Sequence, residues 1–158
     1  MAIELERKFL VKGEYKSKAF RSSSVVQGYI SSDPSRSVRV RIADDKGFLT
    51  IKGKSDELHI GRYEWERALP LNEALELLEL CEPGVISKTR YFVKEGDFTF
   101  EVDEFCGDNS PLVIAEIELH SSDQQIPAPE WLGREVTGDL RYYNSYLAGN
   151  PYSKWDKQ

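Results

Sequence analysis

Seven segments of the chain alternate between apolar and charged residues, and this alternation is the feature that most constrains the fold. The segments are residues 3–11, 36–43, 47–54, 61–69, 87–94, 97–105 and 112–120. A β-strand points successive side chains to opposite faces, so each segment predicts a strand with one apolar face and one charged face. Residues 25–31 form a less regular eighth candidate. Short turns, such as residues 44–47 and 107–111, predict antiparallel pairing of the strands they join.

Three further stretches have the features of helices. Residues 71–82 place leucines at helical spacing and end at a Pro-Gly pair, residues 139–148 begin with Asp139 as a candidate N-cap, and residues 13–20 are a weaker candidate. The helices are too few for repeated βαβ units, and no linker or repeat divides the chain. The sequence therefore predicts a single domain over residues 1–158, mainly β, with antiparallel strands and a few helices.

Composition constrains the function less than the pattern does. The chain carries 27 acidic and 21 basic side chains, and its formal net charge of −6 argues against nonspecific binding to a nucleic-acid duplex. Taken as a sum, this charge also argues against an anionic ligand. The N-terminus lacks the apolar region of a signal peptide, and no apolar run approaches the ~20 residues that span a bilayer. These observations predict a cytoplasmic protein that binds neither a membrane nor a nucleic-acid duplex.

The charged positions of the seven segments are sorted by sign, as solvent-facing strand positions ordinarily are not. Three segments supply mainly Arg or Lys, three supply pairs of acids, and the first supplies both. The acids are Glu4, Glu6, Glu64, Glu66, Glu101, Asp103, Glu116 and Glu118, and the bases are Lys8, Arg39, Arg41, Lys52, Lys88 and Arg90. For any one strand, a solvated charged face is the commoner explanation. The seven together predict that the sheet closes and directs these side chains into a shared lumen.

A lumen of eight strands has room for side chains and one small ligand. Charge buried at this density perturbs pKa values and is costly unless ions complete the cluster. Carboxylates without His or Cys suit hard cations such as Mg²⁺ or Mn²⁺. Surplus Arg and Lys suit a multiply charged oxyanion. A metal and a polyanion in one cavity indicate phosphoryl-transfer chemistry.

The motifs, taken in order, resemble the CYTH, or triphosphate tunnel metalloenzyme, superfamily over nearly the whole chain. Glu4-x-Glu6-x-Lys8 resembles the ExExK signature of that family. The resemblance continues through Gln27-Gly28-Tyr29, Arg39/Arg41, Thr50-x-Lys52, Glu64/Glu66, Lys88-Thr89-Arg90-Tyr91, Glu101-x-Asp103-x-Phe105 and Glu116-x-Glu118, and the tail from Trp131 to Asn144 is similar to that of the short bacterial inorganic triphosphatases. It implies a closed eight-stranded antiparallel β-barrel, or tunnel, with a few helices packed outside and a C-terminal helix.

The resemblance also implies roles for individual residues, because all family members need a divalent metal. By similarity, Lys8 and Lys88 are candidate catalytic residues, Arg39, Arg41, Lys52 and Arg90 bind phosphates, and Glu4, Glu6, Asp103, Glu116 and Glu118 hold Mg²⁺ or Mn²⁺. Supporting candidates are Tyr29, Arg62, Glu64, Glu66 and Glu101. Lys8, coupled to Lys88, is expected to deprotonate the attacking water, since a lysine crowded by other cations has a lowered pKa.

The function expected from this resemblance is metal-dependent hydrolysis of inorganic triphosphate, or of a related short triphosphate, with release of orthophosphate. The chain shows no extra segment for a base or a sugar, which favours inorganic triphosphate as the substrate. A class IV adenylate cyclase, a thiamine triphosphatase and a noncatalytic polyphosphate-sensing module are the alternatives. Dimerisation is common in the family, so a homodimer is one expected assembly. The helix over 139–148 either packs outside the tunnel or plugs one mouth, where Arg141, Tyr142 and Tyr143 would reach the substrate.

Overall fold

The strands close into a barrel, as the alternation predicts. The structure is a computed structural model that describes residues 3–155. Its strands are β1 (Ile3–Val11), β2 (Ala19–Ser31), β3 (Arg36–Ala43), β4 (Lys46–Gly53), β5 (Gly61–Leu69), β6 (Ile86–Glu95), β7 (Phe98–Phe105), β8 (Val113–Glu118) and β9 (Leu132–Glu135). Their hydrogen-bonded order is β5-β4-β3-β2-β6-β7-β8-β1-β9, with every pairing antiparallel. An additional pairing of β1 with β5, through Ile3–Leu5, closes the first eight strands on themselves.

The helical elements are shorter than the sequence predicts. They are α1 (Leu71–Leu78) and α2 (Asn144–Gly149), with 3₁₀ turns at Lys16–Lys18, Gly107–Asn109, Leu140–Tyr142 and Tyr152–Lys154. The predicted helix over 13–20 is wrong, because Ala19 already begins β2 and pairs with β6. The predicted helix over 139–148 is interrupted, since Asp139 caps a 3₁₀ turn by accepting from the Arg141 backbone N–H. Within residues 3–155, none of the helices has the length and apolar character needed to cross a membrane.

Most of the apolar core lies outside the barrel. Phe100 and Ile117 point away from the lumen and pack with the buried Trp131. On β3, Val40 and Ile42 pack against Ala74 of α1. Because the outward faces of the strands are covered in this way, the inward faces are left for the charged side chains.

One end of the lumen is instead filled by apolar side chains. Ile86, Phe105 and Ile114 occupy inward positions, in step with the charged residues of their strands. They form a buried cluster with Leu147 of α2. The C-terminal helix therefore closes this end of the barrel.

Candidate functional site

The inward face of the barrel surrounds a cavity of about 200 Å³. Six cationic and seven acidic side chains line it, and none of the described residues in the lining is aliphatic, Phe or Trp. The cations are Lys8, Arg39, Arg41, Lys52, Arg62 and Arg90, and the acids are Glu4, Glu6, Glu64, Glu66, Glu101, Glu116 and Glu118. Tyr29 also lines the cavity. Of the site residues predicted from the sequence, the cavity lining lacks Lys88 and Asp103.

The cavity also contains residues outside the predicted set. Ser37 and Thr50 line it from β3 and β4, and their strand parity, shared with Arg39 and Lys52, could have revealed them. Tyr143, Asn144 and Ser145 line it from the turn into α2. No strand periodicity points to these three, and the sequence places Tyr143 near a substrate only if the helix plugs the tunnel.

Lys8 lies between two carboxylates. It is the cross-strand partner of Glu116, to which its Nζ donates at 2.8 Å, and the same Nζ lies 3.5 Å from Glu6 Oε1. Burial alone would lower the pKa of Lys8, but Glu116 and Glu6 outweigh it and raise the pKa above its ordinary value. The expected lowering of this pKa is therefore wrong, because the nearest charges are acids rather than cations. In this arrangement Lys8 is a cation held between two carboxylates, which disfavours its expected role as the base.

Four glutamates of β1, β7 and β8 form what we call the acid wall: Glu6, Glu101, Glu116 and Glu118. Glu6 lies opposite Glu118, and Glu101 lies opposite Glu116, in the strand register. Burial and then neighbouring carboxylates raise the pKa of Glu6 and of Glu118. Like charges at opposed positions destabilise a sheet. Glu6 and Glu118 therefore carry negative charge that the protein does not fully compensate. By contrast, Lys8 and Arg90 hold the pKa of Glu116 well below its usual value, although burial opposes it.

The acid wall has the donor chemistry of a site for a hard divalent cation. Carboxylate oxygens are the ligands that Mg²⁺ and Mn²⁺ prefer, and a cation would offset the repulsion between the glutamates. In the arrangement that residues 3–155 adopt, no three His, Cys, Asp or Glu side chains are grouped closely enough to hold an ion. Lys8 holds Glu116 at 2.8 Å and Lys52 holds Glu4 at 2.9 Å. The residues thus fit the metal by chemistry, while these ion pairs direct two of the carboxylates toward lysines.

Arg41 carries a positive charge that its neighbours do not compensate. Its Nε and Nη2 donate to Oε1 of the neutral Gln27, at 3.0 and 2.9 Å. Burial, followed by the charges of Arg39 and Arg90, lowers the pKa of Arg41 to about 9. A bound anion would relieve both the repulsion and the loss of hydration.

Arg39 provides a second sign that the cavity suits an anion. Its Nη2 donates to Thr50 Oγ1 at 3.2 Å and lies 3.7 Å from Glu66. Its Nε is the only buried side-chain nitrogen or oxygen of the described residues that has no hydrogen-bond partner. A buried donor without an acceptor is costly, so this atom marks a position that suits a phosphate oxygen.

Glu64 and Glu66 support neighbouring cations. Lys52 Nζ lies 3.4 Å from Glu64, its cross-strand partner. Glu66 lies 3.7 Å from Arg39 Nη2 and accepts a 2.7 Å hydrogen bond from Thr50. The guanidinium of Arg62 lies over the ring of Tyr143, at 5.2 Å from the ring centroid. These contacts hold the cationic side chains in place around the cavity.

Lys88 and Asp103, predicted as a catalytic residue and a metal ligand, lie behind the cavity lining. Asp103 accepts from Arg90 Nε and Nη2 at 2.7 and 2.9 Å and lies 2.7 Å from Lys88 Nζ. Although burial opposes it, these cations hold the pKa of Asp103 at about 2. Its oxygens are engaged by cations, which disfavours the predicted metal ligation. The Lys88 side chain has no exposed surface and cannot contact a ligand in the cavity.

The comparisons with known proteins agree with this geometry. The family model described as the CYTH domain matches residues 2–145. The chain belongs to the CYTH family. A relative named inorganic triphosphatase from Acetivibrio thermocellus is 52% identical over 157 residues, which cover 98% of this chain and 99% of that protein. Another protein of that name, from Nitrosomonas europaea, is 35% identical over 150 residues, covering 92% of this chain and 96% of its own length.

A crystal structure of an inorganic triphosphatase also superimposes on this CYTH chain. The TM-score is 0.66 at 34% identity, and the alignment covers 91% of this chain and 96% of that one. Membership of the CYTH family confirms the resemblance seen in the motifs. The closed eight-stranded barrel confirms the predicted fold.

Proposed function

We propose that this CYTH protein is a metal-dependent inorganic triphosphatase that hydrolyses tripolyphosphate to pyrophosphate and orthophosphate. The observation that carries the proposal is the charge inside the barrel. Among the described residues, one cavity contains cationic donors, with an uncompensated charge at Arg41 and an Nε without a partner at Arg39, and carboxylates whose pKa is raised, at Glu6 and Glu118. The first group suits a polyphosphate and the second suits the metal that accompanies it. The two relatives named inorganic triphosphatase support this assignment.

The phosphate-binding roles belong to the cations of the cavity. Arg39, Arg41 and Arg90 have guanidinium groups whose planar donors match phosphate oxygens. Lys52 adds a fourth charge from β4. Asp103 acts indirectly in this proposal, because its two hydrogen bonds fix the orientation of Arg90.

Lys8 has an electrostatic role in the proposed reaction rather than that of a base. Although burial opposes the shift, Glu116 and Glu6 raise the pKa of its ammonium, which pairs with Glu116 at the boundary of the acid wall. A preorganised cation at this position would stabilise negative charge that develops on the transferred phosphoryl group. Lys88 supports this region from behind the lining.

The acid wall, with Glu4, would hold Mg²⁺ or Mn²⁺. When bound, such an ion would neutralise charge on the phosphoryl oxygens and make the phosphorus atom more open to attack by water. The protein's own contribution is to bring several carboxylates together in one buried place. Entry of the ion would require Glu116 and Glu4 to loosen their ion pairs with lysines.

Inorganic triphosphate fits the cavity better than a nucleotide does. Among the described residues of the lining, the aromatic side chains are Tyr29 and Tyr143, and there is no apolar slot for a base. One end of the barrel is closed by α2 and the apolar cluster around Leu147. We further propose that residues 1–158 form one domain, since strands from both halves of the chain share the barrel.

Orthophosphate release from tripolyphosphate, ATP and thiamine triphosphate, each with Mg²⁺ or Mn²⁺, tests the proposed function. We expect tripolyphosphate to be the preferred substrate, EDTA to abolish turnover, and Lys8→Met to reduce kcat strongly. Lys12→Met, an exposed lysine just beyond β1, is the matched control and should leave turnover unchanged. Formation of cyclic AMP from ATP without orthophosphate would contradict the proposal. Metal-dependent binding of tripolyphosphate without turnover would favour a sensor.

A further inference from the structure

Asn144 contributes an amide to the cavity from outside the barrel strands. It lines the cavity at the start of α2. Its Oδ1 accepts two hydrogen bonds, from Lys88 Nζ at 2.9 Å and from Gln27 Nε2 at 3.2 Å. Lys88 and Gln27 are both buried and lie behind the lining. The oxygen of the Asn144 amide is therefore directed toward the barrel wall.

Hydrogen-bond chemistry fixes which end of this amide is the oxygen. A guanidinium has only donors, so Gln27 must present Oε1 to Arg41, as it does with two hydrogen bonds. Gln27 then has only its NH₂ group left to donate to Asn144, so the atom of Asn144 that accepts this hydrogen bond must be Oδ1. The amide orientation, which geometry alone often leaves ambiguous, is determined by this chain of donors from Arg41.

The NH₂ group of Asn144 is left with both of its donors. Among residues 3–155, Nδ2 of Asn144 has no hydrogen-bond partner, and it is not a buried atom. Because the oxygen faces the wall, the open side of the amide is the cavity. The group is a rigid neutral donor within the same cavity as Arg39, Arg41 and Arg90.

We propose that Asn144 binds substrate directly, by donating from Nδ2 to a phosphate oxygen of tripolyphosphate. The proposal rests on the proposed function and adds a binding residue to it. A neutral donor offers a hydrogen bond without adding to the repulsion that already lowers the pKa of Arg41. Since Asn144 begins α2, the helix that closes the barrel also brings a ligand for the substrate.

Two substitutions of Asn144 distinguish donation to the substrate by Nδ2 from support of Lys88 and Gln27 by Oδ1. Asn144→Asp keeps an oxygen for Lys88 and Gln27 but has no N–H, whereas Asn144→Ala removes the donor without adding charge. Asn150→Asp makes the same charge change at an exposed position just after α2 and serves as the control. Binding of sodium tripolyphosphate is measured by calorimetry in EDTA, and KM and kcat are measured with Mg²⁺.

We expect Asn144→Asp to keep the wild-type Tm within a few degrees and to raise the Kd for tripolyphosphate at least roughly tenfold. Asn144→Ala should raise it roughly fivefold or more, and Asn150→Asp by less than about twofold. A purely supporting role predicts weak binding by Asn144→Ala with normal binding by Asn144→Asp. A purely electrostatic effect predicts the reverse. Either pattern, or wild-type binding by both variants, would overturn the proposal.

The same measurements distinguish failure of this inference from failure of the proposed function. Turnover by the wild type, with unchanged KM and Kd in both Asn144 variants, removes Asn144 from the site and leaves the triphosphatase assignment standing. Wild-type binding without turnover, weakened in both Asn144 variants, upholds the inference and contradicts the assignment. A wild-type protein that neither binds nor hydrolyses tripolyphosphate contradicts both.

Discussion

At Arg41 the requirements of folding and of ligand binding are opposed. Its guanidinium is buried beside Arg39 and Arg90, and among residues 3–155 its hydrogen bonds go to the neutral amide of Gln27. We predict that Arg41→Met lowers kcat/KM for tripolyphosphate by roughly tenfold to a hundredfold, the usual effect of losing hydrogen bonds to a charged group. The same change should leave the Tm of the ligand-free protein unchanged or higher, because it removes a repulsive charge.

Arg36→Met is the matched control for this prediction. Arg36 begins the same strand, but its side chain is 78% exposed and pairs with Asp33 at the surface. Its loss should change neither the Tm nor kcat/KM appreciably. If Arg41→Met lowered the Tm by many degrees, the charge of Arg41 would have to be compensated in the folded protein.

The pKa of Lys88 gives a pH dependence of stability. Burial, with Arg90 and Arg41, lowers this pKa to about 7, although Asp103 opposes the shift. The unfolded chain keeps the proton to about pH 10, so between about pH 7 and pH 10 the unfolded state binds more protons. The free energy of unfolding contributed by Lys88 should therefore rise with pH across this window. Thermal unfolding of the wild type and Lys88→Met should show the Tm difference moving in favour of the wild type from pH 7 to 10; a constant difference would contradict the prediction.

Residue parity could predict which side chains enter the lumen but not how far along it they lie. Lys88 and Asp103 have the right parity, yet they are buried beneath the cavity. Ile86 lies two positions from Lys88, and Phe105 lies two positions from Asp103, on the same face of their strands. Both belong to the apolar cluster at the closed end of the barrel. Apolar residues at lumen positions are a sequence signal that could have predicted this closed end. The neighbours that raise the pKa of Lys8 depend on strand register, which alternation leaves undetermined.

At the scale of elements, strong periodicity predicted structure better than composition did. The strands at 36–43 and 61–69 have the predicted bounds. The stretch at 13–20 had little periodicity. It forms a 3₁₀ turn at Lys16–Lys18, and its last two residues begin β2, where Ala19 pairs with β6. Strand β9 has only four residues, too few to show alternation. It forms because it can pair with the edge of β1. Tertiary pairing decides the structure of such weakly patterned segments.

The docking of α2 depends on a glycine in the turn before β6. Gly84 has φ of 95°, and a Cβ at this position would overlap the carbonyl group of Ala148 in α2. We predict that Gly84→Ala displaces α2, lowers the free energy of unfolding by several kcal/mol and raises KM. The loss of stability has two parts, a clash of roughly 1–3 kcal/mol and backbone strain of about 1–2 kcal/mol. KM is affected because the residues at the start of α2 line the cavity.

Gly96→Ala is the control that distinguishes the clash with α2 from the backbone strain of a positive φ. Gly96 has φ of 62°, but a Cβ there would meet no atom within 4 Å. Both variants therefore have the strain, while only Gly84→Ala has the overlap with α2. Urea denaturation and steady-state kinetics should show that Gly96→Ala loses less stability and keeps its KM. Equal effects of the two substitutions would indicate that α2 is not held at this contact.

At the scale of the whole molecule, net charge does not indicate which kind of ligand the cavity suits. A sum of −6 argues against an anion, but the barrel separates its charges, so that arginines and the acid wall share one cavity. The protein folds around this cavity because its apolar residues pack outside the barrel and at one end. Total composition carries no information about such a separation, whereas the sorting of signs by strand does. This separation leads to a prediction about divalent cations.

We predict that MgCl₂ raises the Tm of the wild type more than NaCl of equal ionic strength, because an ion bound only by the folded state stabilises it by about 2.7 kcal/mol at a hundredfold excess over Kd. Glu118→Gln removes a charge opposite Glu6. It should raise the Tm without metal and reduce the rise that Mg²⁺ produces. Glu104→Gln is the control, since Glu104 is held by Tyr15 and Lys16 outside the cavity. It should leave the Mg²⁺-dependent rise intact, and an equal rise in Glu118→Gln would exclude Glu118 as a ligand.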